Sequence, residues 1–212
     1  MPEESTALDR NRWMALWSRL GAQRNGTDVF QQLAAAYAEP TRFYHTAAHI
    51  VDCLAQFDWS RDLAARPDEV EAALWFHDAV YVPGATDNEA RSARLARASL
   101  SGAAAPTGVP ERIAALILAT THADLPSDPD TQLVCDIDLS ILGREMAEFD
   151  QFERRIRQEY AWVPEPTYRH ARSEVLNGFL QRRSIYLTAR FAERYERAAR
   201  QNLEKVLAAL SR

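Results

Sequence analysis

RFYHTAAHIVDC, residues 42–53, carries the spacing that decides the fold. Phe43, Ala47, Ile50, Leu54 and Phe57 follow the i, i+4, i+7 rhythm of a helix stripe turned to a core. Tyr44, Thr46, Ala48, Val51, Cys53 and Ala55 flank it, leaving one narrow polar line of His45, His49, Asp52 and Gln56. Residues four apart share a helix face, so His45 and His49 stack. Alone, HxxxH is a weak motif, and the line is about as well explained by a face turned to solvent.

The same helical rhythm recurs along the chain, with no internal repeat and no hairpin signal between alternating segments. The spacing predicts helices over roughly 7–20, 28–38, 43–57, 68–81, 87–101, 109–122, 131–142, 145–160, 166–183 and 185–210. Asp68 after Pro67, with Glu71 three residues on, reads as a capping box. Thr107 and Pro110 mark another helix start. DLPSDPD (124–130) and VPEP (163–166) are breaks, neither long enough to be a domain linker. The expected fold is all-α, one helical domain over 1–212.

Composition bounds the function. The chain has 212 residues, 47% of them hydrophobic, which suffices for one sizeable core. A net charge of -5 argues against a general nucleic-acid or anionic-membrane binder. From Arg144 onward 14 basic residues meet 10 acidic ones, and all but one of the basic residues in the chain are arginines. Arginine favours carboxylate and phosphate partners, although most of these belong to solvated helix faces. Cys53 and Cys135 form no CxxC pattern, which points away from a disulfide scaffold and towards a reducing compartment. MPEESTALDRNRW does not read as a signal peptide, and no apolar run approaches membrane-spanning length. A soluble cytoplasmic protein is expected.

Two further apolar segments have polar interruptions. AALWFHDAVY (72–81) holds His77 and Asp78 among apolar neighbours, where an unpaired carboxylate would cost several kcal/mol. LVCDIDLSILG (133–143) holds Asp136 and Asp138, and the nearest basic residue is Arg144. One divalent cation accounts for all three interruptions, because its charge offsets carboxylate burial and neutral imidazole is a good ligand. The set is one His of the first segment, His77, Asp78 and one Asp of the third, with Mn, Fe, Co, Ni, Mg and Zn all suited to it.

YHTAAHI, then FHD, then DIDLSILG, in that order on a helical chain, resemble the HD superfamily of metal-dependent phosphohydrolases. The likeness spans about residues 40–200. DNEARSA and EYAWVP look like a bacterial branch known as predicted HD phosphohydrolases. The resemblance implies an HD-type helical bundle with the metal between central helices, ligated by His49, His77, Asp78 and Asp138. It implies His45 as general acid and Asp138 as both ligand and orienter of the nucleophile, while Asp136 has no firm counterpart in the family and is a candidate for a place beside the site. The HxxxH opening is also similar to cyclic-nucleotide phosphodiesterases, where the first His faces the leaving group. Thr46 stands where those enzymes carry Asn, and no glycine-rich nucleotide element is evident, which argues against a cyclic nucleotide.

Other residues have weaker claims. His122 ends an apolar helix and is either a phosphate or second-metal contact, or a histidine held by the helix dipole. Glu89 is either an orienter of water or a first-turn acid. Arg91, Arg94 and Arg172 are phosphate-clamp candidates, and His170 reads as surface. The expected activity is hydrolysis of a small phosphorylated substrate, a phosphomonoester or phosphodiester that could be nucleotide-like. An oxidative di-iron enzyme using His122 and Asp136, or an inactive binding module, are the alternatives. The apolar NLEKVLAAL of the last helix is a candidate for homodimer pairing, or packs on its own core.

Overall fold

Trp13, Leu16, Trp17 and Leu20 lie on one side of the first helix and are all buried, so the apolar spacing does set which face turns inward. The same rule builds the rest of the computed structural model, which describes residues 7–211. Among these residues the helices are α1 (Arg10–Arg19), α2 (Gly26–Tyr37), α3 (Ala47–Ser60), α4 (Pro67–Phe76), α5 (Asn88–Gly102), α6 (Val109–Ala119), α7 (Pro129–Asp138), α8 (Met146–Glu159), α9 (Glu165–Leu180) and α10 (Ala189–Leu210). Short 3₁₀ turns occupy Arg61–Leu63 and Leu139–Gly143. No strand occurs among the described residues, and the fold is all-α. Among the described residues no helix is long and apolar enough to cross a membrane. The chain falls into two compact units, Met1–Val134 and Cys135–Arg212.

In the first unit α4 is the central helix. Every residue from Glu69 to Phe76 is buried, and α1, α3, α5 and α6 all pack on it. Aromatic rings fill the space on the α1 side, with Trp13 centred 5.0 Å from Trp17 and 5.3 Å from Trp75. Glu71, buried within this helix, is met by three arginines, at 2.7 Å (Arg12), 2.9 Å (Arg61) and 3.1 Å (Arg19). Charge-assisted bonds of this kind make burial of a carboxylate tolerable.

The start of α4 differs from the capping box that the sequence suggests. The helix begins at Pro67, whose fixed φ suits the first helical position. Asp68 pairs instead with Arg19 and Arg61, at 2.8 and 2.9 Å. Asp130, from the first turn of α7, accepts from the backbone N–H of Ala65 and Arg66, at 2.6 and 3.0 Å. A cap from 64 residues away is invisible to local spacing.

In the second unit α10 packs on α9 and on the Leu139–Gly143 turn, which α8 also touches. At Gly143 a Cβ would stand 2.5 Å from Tyr195 Cβ and 2.7 Å from its carbonyl oxygen, so only glycine lets α10 approach this closely. Asn202 of α10 donates to the carbonyls of Leu142 and Arg144, at 2.8 and 2.9 Å. Asp136 is fully buried and accepts from Leu187 N, Thr188 N and Thr188 Oγ1, each at 2.7 Å, which fixes the start of α10. Burial and the nearby Asp138 and Asp136 push the Cys135 thiol up to about 12, so it is neutral at physiological pH.

Candidate metal centre

The polar line of α3 turns inward, not to solvent. His49 and Gln56 are buried, and the His49 side chain is 3% exposed. The helix starts later than its apolar rhythm suggests: Thr46 is the N-cap, in extended conformation, and Phe43 is 43% exposed. His45 therefore lies in the turn before α3, and His49 in the helix's first turn. Cys53 follows one turn on, with its sulfur 3.7 Å from both ring nitrogens of His49.

α4 likewise ends earlier than predicted. Its last residue is Phe76, and His77 and Asp78 occupy the turn that follows, although His77 N still donates to Ala73 O at 2.9 Å. The His77 Nδ1 lies 3.0 Å from the carbonyl oxygen of Leu74. A carbonyl can only accept, so Nδ1 carries a proton, and Nε2 presents a lone pair when the ring is neutral and donates to Asp78 when it is protonated.

His77 Nε2 faces two other polar atoms. His77 Nε2 is 3.1 Å from His49 Nε2, and Asp78 Oδ2 is 3.1 Å from the first and 3.4 Å from the second. The His77 side chain is 1% exposed and that of Asp78 16%. Burial pushes the Asp78 carboxyl up. The imidazoles of His77, His45 and His49, with the hydrogen bond from His77, outweigh it and hold the group well below the usual carboxylate range. Asp78 is thus an anion at neutral pH.

Three donors at these separations fit a cation. Ligands about 2.1 Å from one ion lie about 3.0 Å apart when cis in an octahedron and about 3.4 Å apart in a tetrahedron. The observed edges span that interval. Two nitrogens and one carboxylate oxygen on a buried triangle are also a donor set that borderline divalent metals accept. The ligand atoms of His49, Cys53 and His77 lie within 4.8 Å of one another, so a group of side chains that could hold a metal ion is present.

Aromatic rings line this centre. His45 is half-buried and stacks on Tyr81, with centroids 3.9 Å apart and planes at 26°. Its ring centroid is 6.1 Å from that of His49, and Tyr44 lies 4.8 Å from His49.

The remaining candidates sit as follows. Asp138 is the last residue of α7, half-buried, in the second unit. Asp136, in the same unit, is engaged in holding the start of α10. Arg172, also there, pairs with Glu153 and lies over the Phe152 ring at 5.3 Å. In the first unit, His122 is half-buried beyond α6 and takes a left-handed φ of 54°. Glu89 and Arg91 are both in the first turn of α5 and half-buried. Arg94 is 3.9 Å from Asp87, both well exposed. His170 is exposed, 3.6 Å from Glu174.

Cys53 and Tyr81 were not legible as site residues. The spacing of Cys53 from His49 does put the two on one helix face, but cysteine in an apolar helix reads first as a small core residue. Tyr81 reads as one more aromatic in an apolar run. Compared with protein-family models, with curated proteins and with solved structures, the chain matches none.

Proposed function

We propose that the protein is a metal-dependent hydrolase of phosphate esters. One observation carries the reading: the buried triangle of His49 Nε2, His77 Nε2 and Asp78 Oδ2, with edges of 3.1–3.4 Å. The order of motifs, which resembles the HD phosphohydrolases, supports it. A divalent cation bound there would supply Lewis acidity, acidifying a water and offsetting the charge of a phosphoryl group.

The chain's own residues do the rest. His77 is locked by Leu74 O in the tautomer that points Nε2 inward, and Asp78 contributes negative charge at the same spot. His45, half-buried against Tyr81, is able to reach the mouth of the centre and donate a proton to the departing ester oxygen. Asp138, the remaining ligand implied by the resemblance, belongs to the proposal on that ground.

The His45 role has a specific test. His45→Ala is expected to lower kcat/KM about a hundredfold or more on an alkyl phosphate, whose leaving group needs a proton, and less than about tenfold on p-nitrophenyl phosphate. Equal losses on both substrates would remove His45 from the acid role.

A two-histidine, one-carboxylate triangle is also what non-haem ferrous oxygenases use. Oxygen uptake by the iron-loaded protein, with no phosphate release under Mn²⁺ or Mg²⁺, would favour that second reading. The di-iron form of it is weakened by Asp136, whose two oxygens already take three hydrogen bonds from Leu187 and Thr188.

A further inference from the structure

The side chain of Arg42 is 1% exposed, and its carboxylate partner Glu39, at 3.0 Å, is 48% exposed. A half-exposed ion pair adds little, while burying a guanidinium costs several kcal/mol. Most of what offsets that cost is main chain. Arg42 Nη1 donates to the carbonyl oxygens of Asp78, at 2.6 Å, and His45, at 3.3 Å, and Nη2 donates to that of Ala79, at 3.2 Å. The rings of Tyr37 and Tyr81 flank the group, 5.4 and 5.7 Å from its central carbon.

These carbonyls come from the two segments that supply the triangle. His45 belongs to the turn that leads into α3 and, four residues on, His49. Asp78 and Ala79 belong to the turn that follows α4. α4 stops at Phe76 and its chain end is received by a guanidinium from 36 residues upstream. One planar fork thus ties the turn bearing Asp78 to the turn preceding His49.

From this geometry we infer that Arg42 is a positioning residue that sets the spacing of Asp78 against His49 and His77 for cation binding. The inference rests on the metal-centre reading proposed above. Arg42 touches none of the three ligand atoms and acts through the backbone. Lysine cannot replace it, because one ammonium has no rigid fork with which to span three carbonyls and a carboxylate. Partners that orient metal ligands in this indirect way are typically worth a factor of 10–100 in affinity.

The test is Mn²⁺ affinity by calorimetry for the wild type, Arg42→Lys and Arg42→Ala, beside the melting curve of each protein stripped of metal. Arg42→Lys is expected to retain a cooperative metal-free transition and to bind Mn²⁺ about 10–100-fold more weakly. Arg42→Ala is expected to bind more weakly still and to recover part of its affinity when methylguanidinium is added to refill the slot. Wild-type affinity in Arg42→Lys overturns the inference while leaving the metal centre intact. Loss of the cooperative transition in both variants also overturns it, because Arg42 would then hold the fold and not the spacing. A wild type that binds no Mn²⁺ overturns the metal centre and this inference with it.

Discussion

Asp78→Ala is expected to weaken divalent-cation binding by at least about a hundredfold, the largest effect of any single change at the centre. The reasoning starts from charge. His49 and His77 are neutral when they ligate, so among the three residues of the triangle Asp78 alone carries the negative charge that offsets a dipositive ion in a buried place. The Asp78 carboxyl is held well below its usual range although burial opposes this, because the nearby imidazoles, when protonated and free of metal, favour the anion. Without it, two nitrogens 3.1 Å apart remain, and one can simply donate its proton to the other. Asp78→Asn separates charge from shape, since it keeps the volume and removes the anion. Both variants should lose binding in an equilibrium-dialysis assay with Mn²⁺ while their metal-free proteins still melt cooperatively. Stoichiometric Mn²⁺ retained by Asp78→Ala would take the residue out of the ligand set.

The second large effect is on stability. Asp136→Ala is expected to cost about 3–5 kcal/mol, from stranding buried donors and losing a charged acceptor. The carboxylate is fully buried and takes three hydrogen bonds of 2.7 Å, two of them from backbone N–H groups of Leu187 and Thr188. Thr188 is the N-cap of α10, yet no intrahelical bond from its own side chain caps that helix. Asp136 therefore does for α10, from a distance of 52 residues, what a local cap usually does. Urea denaturation should show a lower midpoint with little change in slope. A loss below about 1 kcal/mol would mean that water replaces the carboxylate at little cost.

These two aspartates mark what could and could not be read from the chain. Each stands in an apolar run, and that alone correctly flags both as carboxylates in need of a partner. The groups around Asp78 lie in motifs that share its chemistry, so a candidate metal centre was legible. The partner of Asp136 is a pair of main-chain amides some fifty residues later, which no pattern of side chains announces. The helices follow the same division. Their existence rests on local apolar rhythm, and each predicted segment has its counterpart. Their ends rest on tertiary contacts: α3 begins after His45, and α4 closes before His77, where the Arg42 guanidinium receives the carbonyls of Asp78 and Ala79. Asp130 at the head of α4 makes the same point. The geometry that lets His77 and Asp78 face His49 is thus written partly in Arg42, which reads in sequence as one more arginine.

The most direct measurement of the central claim is pulsed electron paramagnetic resonance on protein loaded with one equivalent of Mn²⁺ after exhaustive chelation. If His49, His77 and Asp78 hold one ion, a single tightly bound Mn²⁺ per chain should show nitrogen modulation from two imidazoles, and His77→Ala should leave the contribution of one. A protein that takes up no stoichiometric ion, or a bound ion without imidazole nitrogen, would contradict the account.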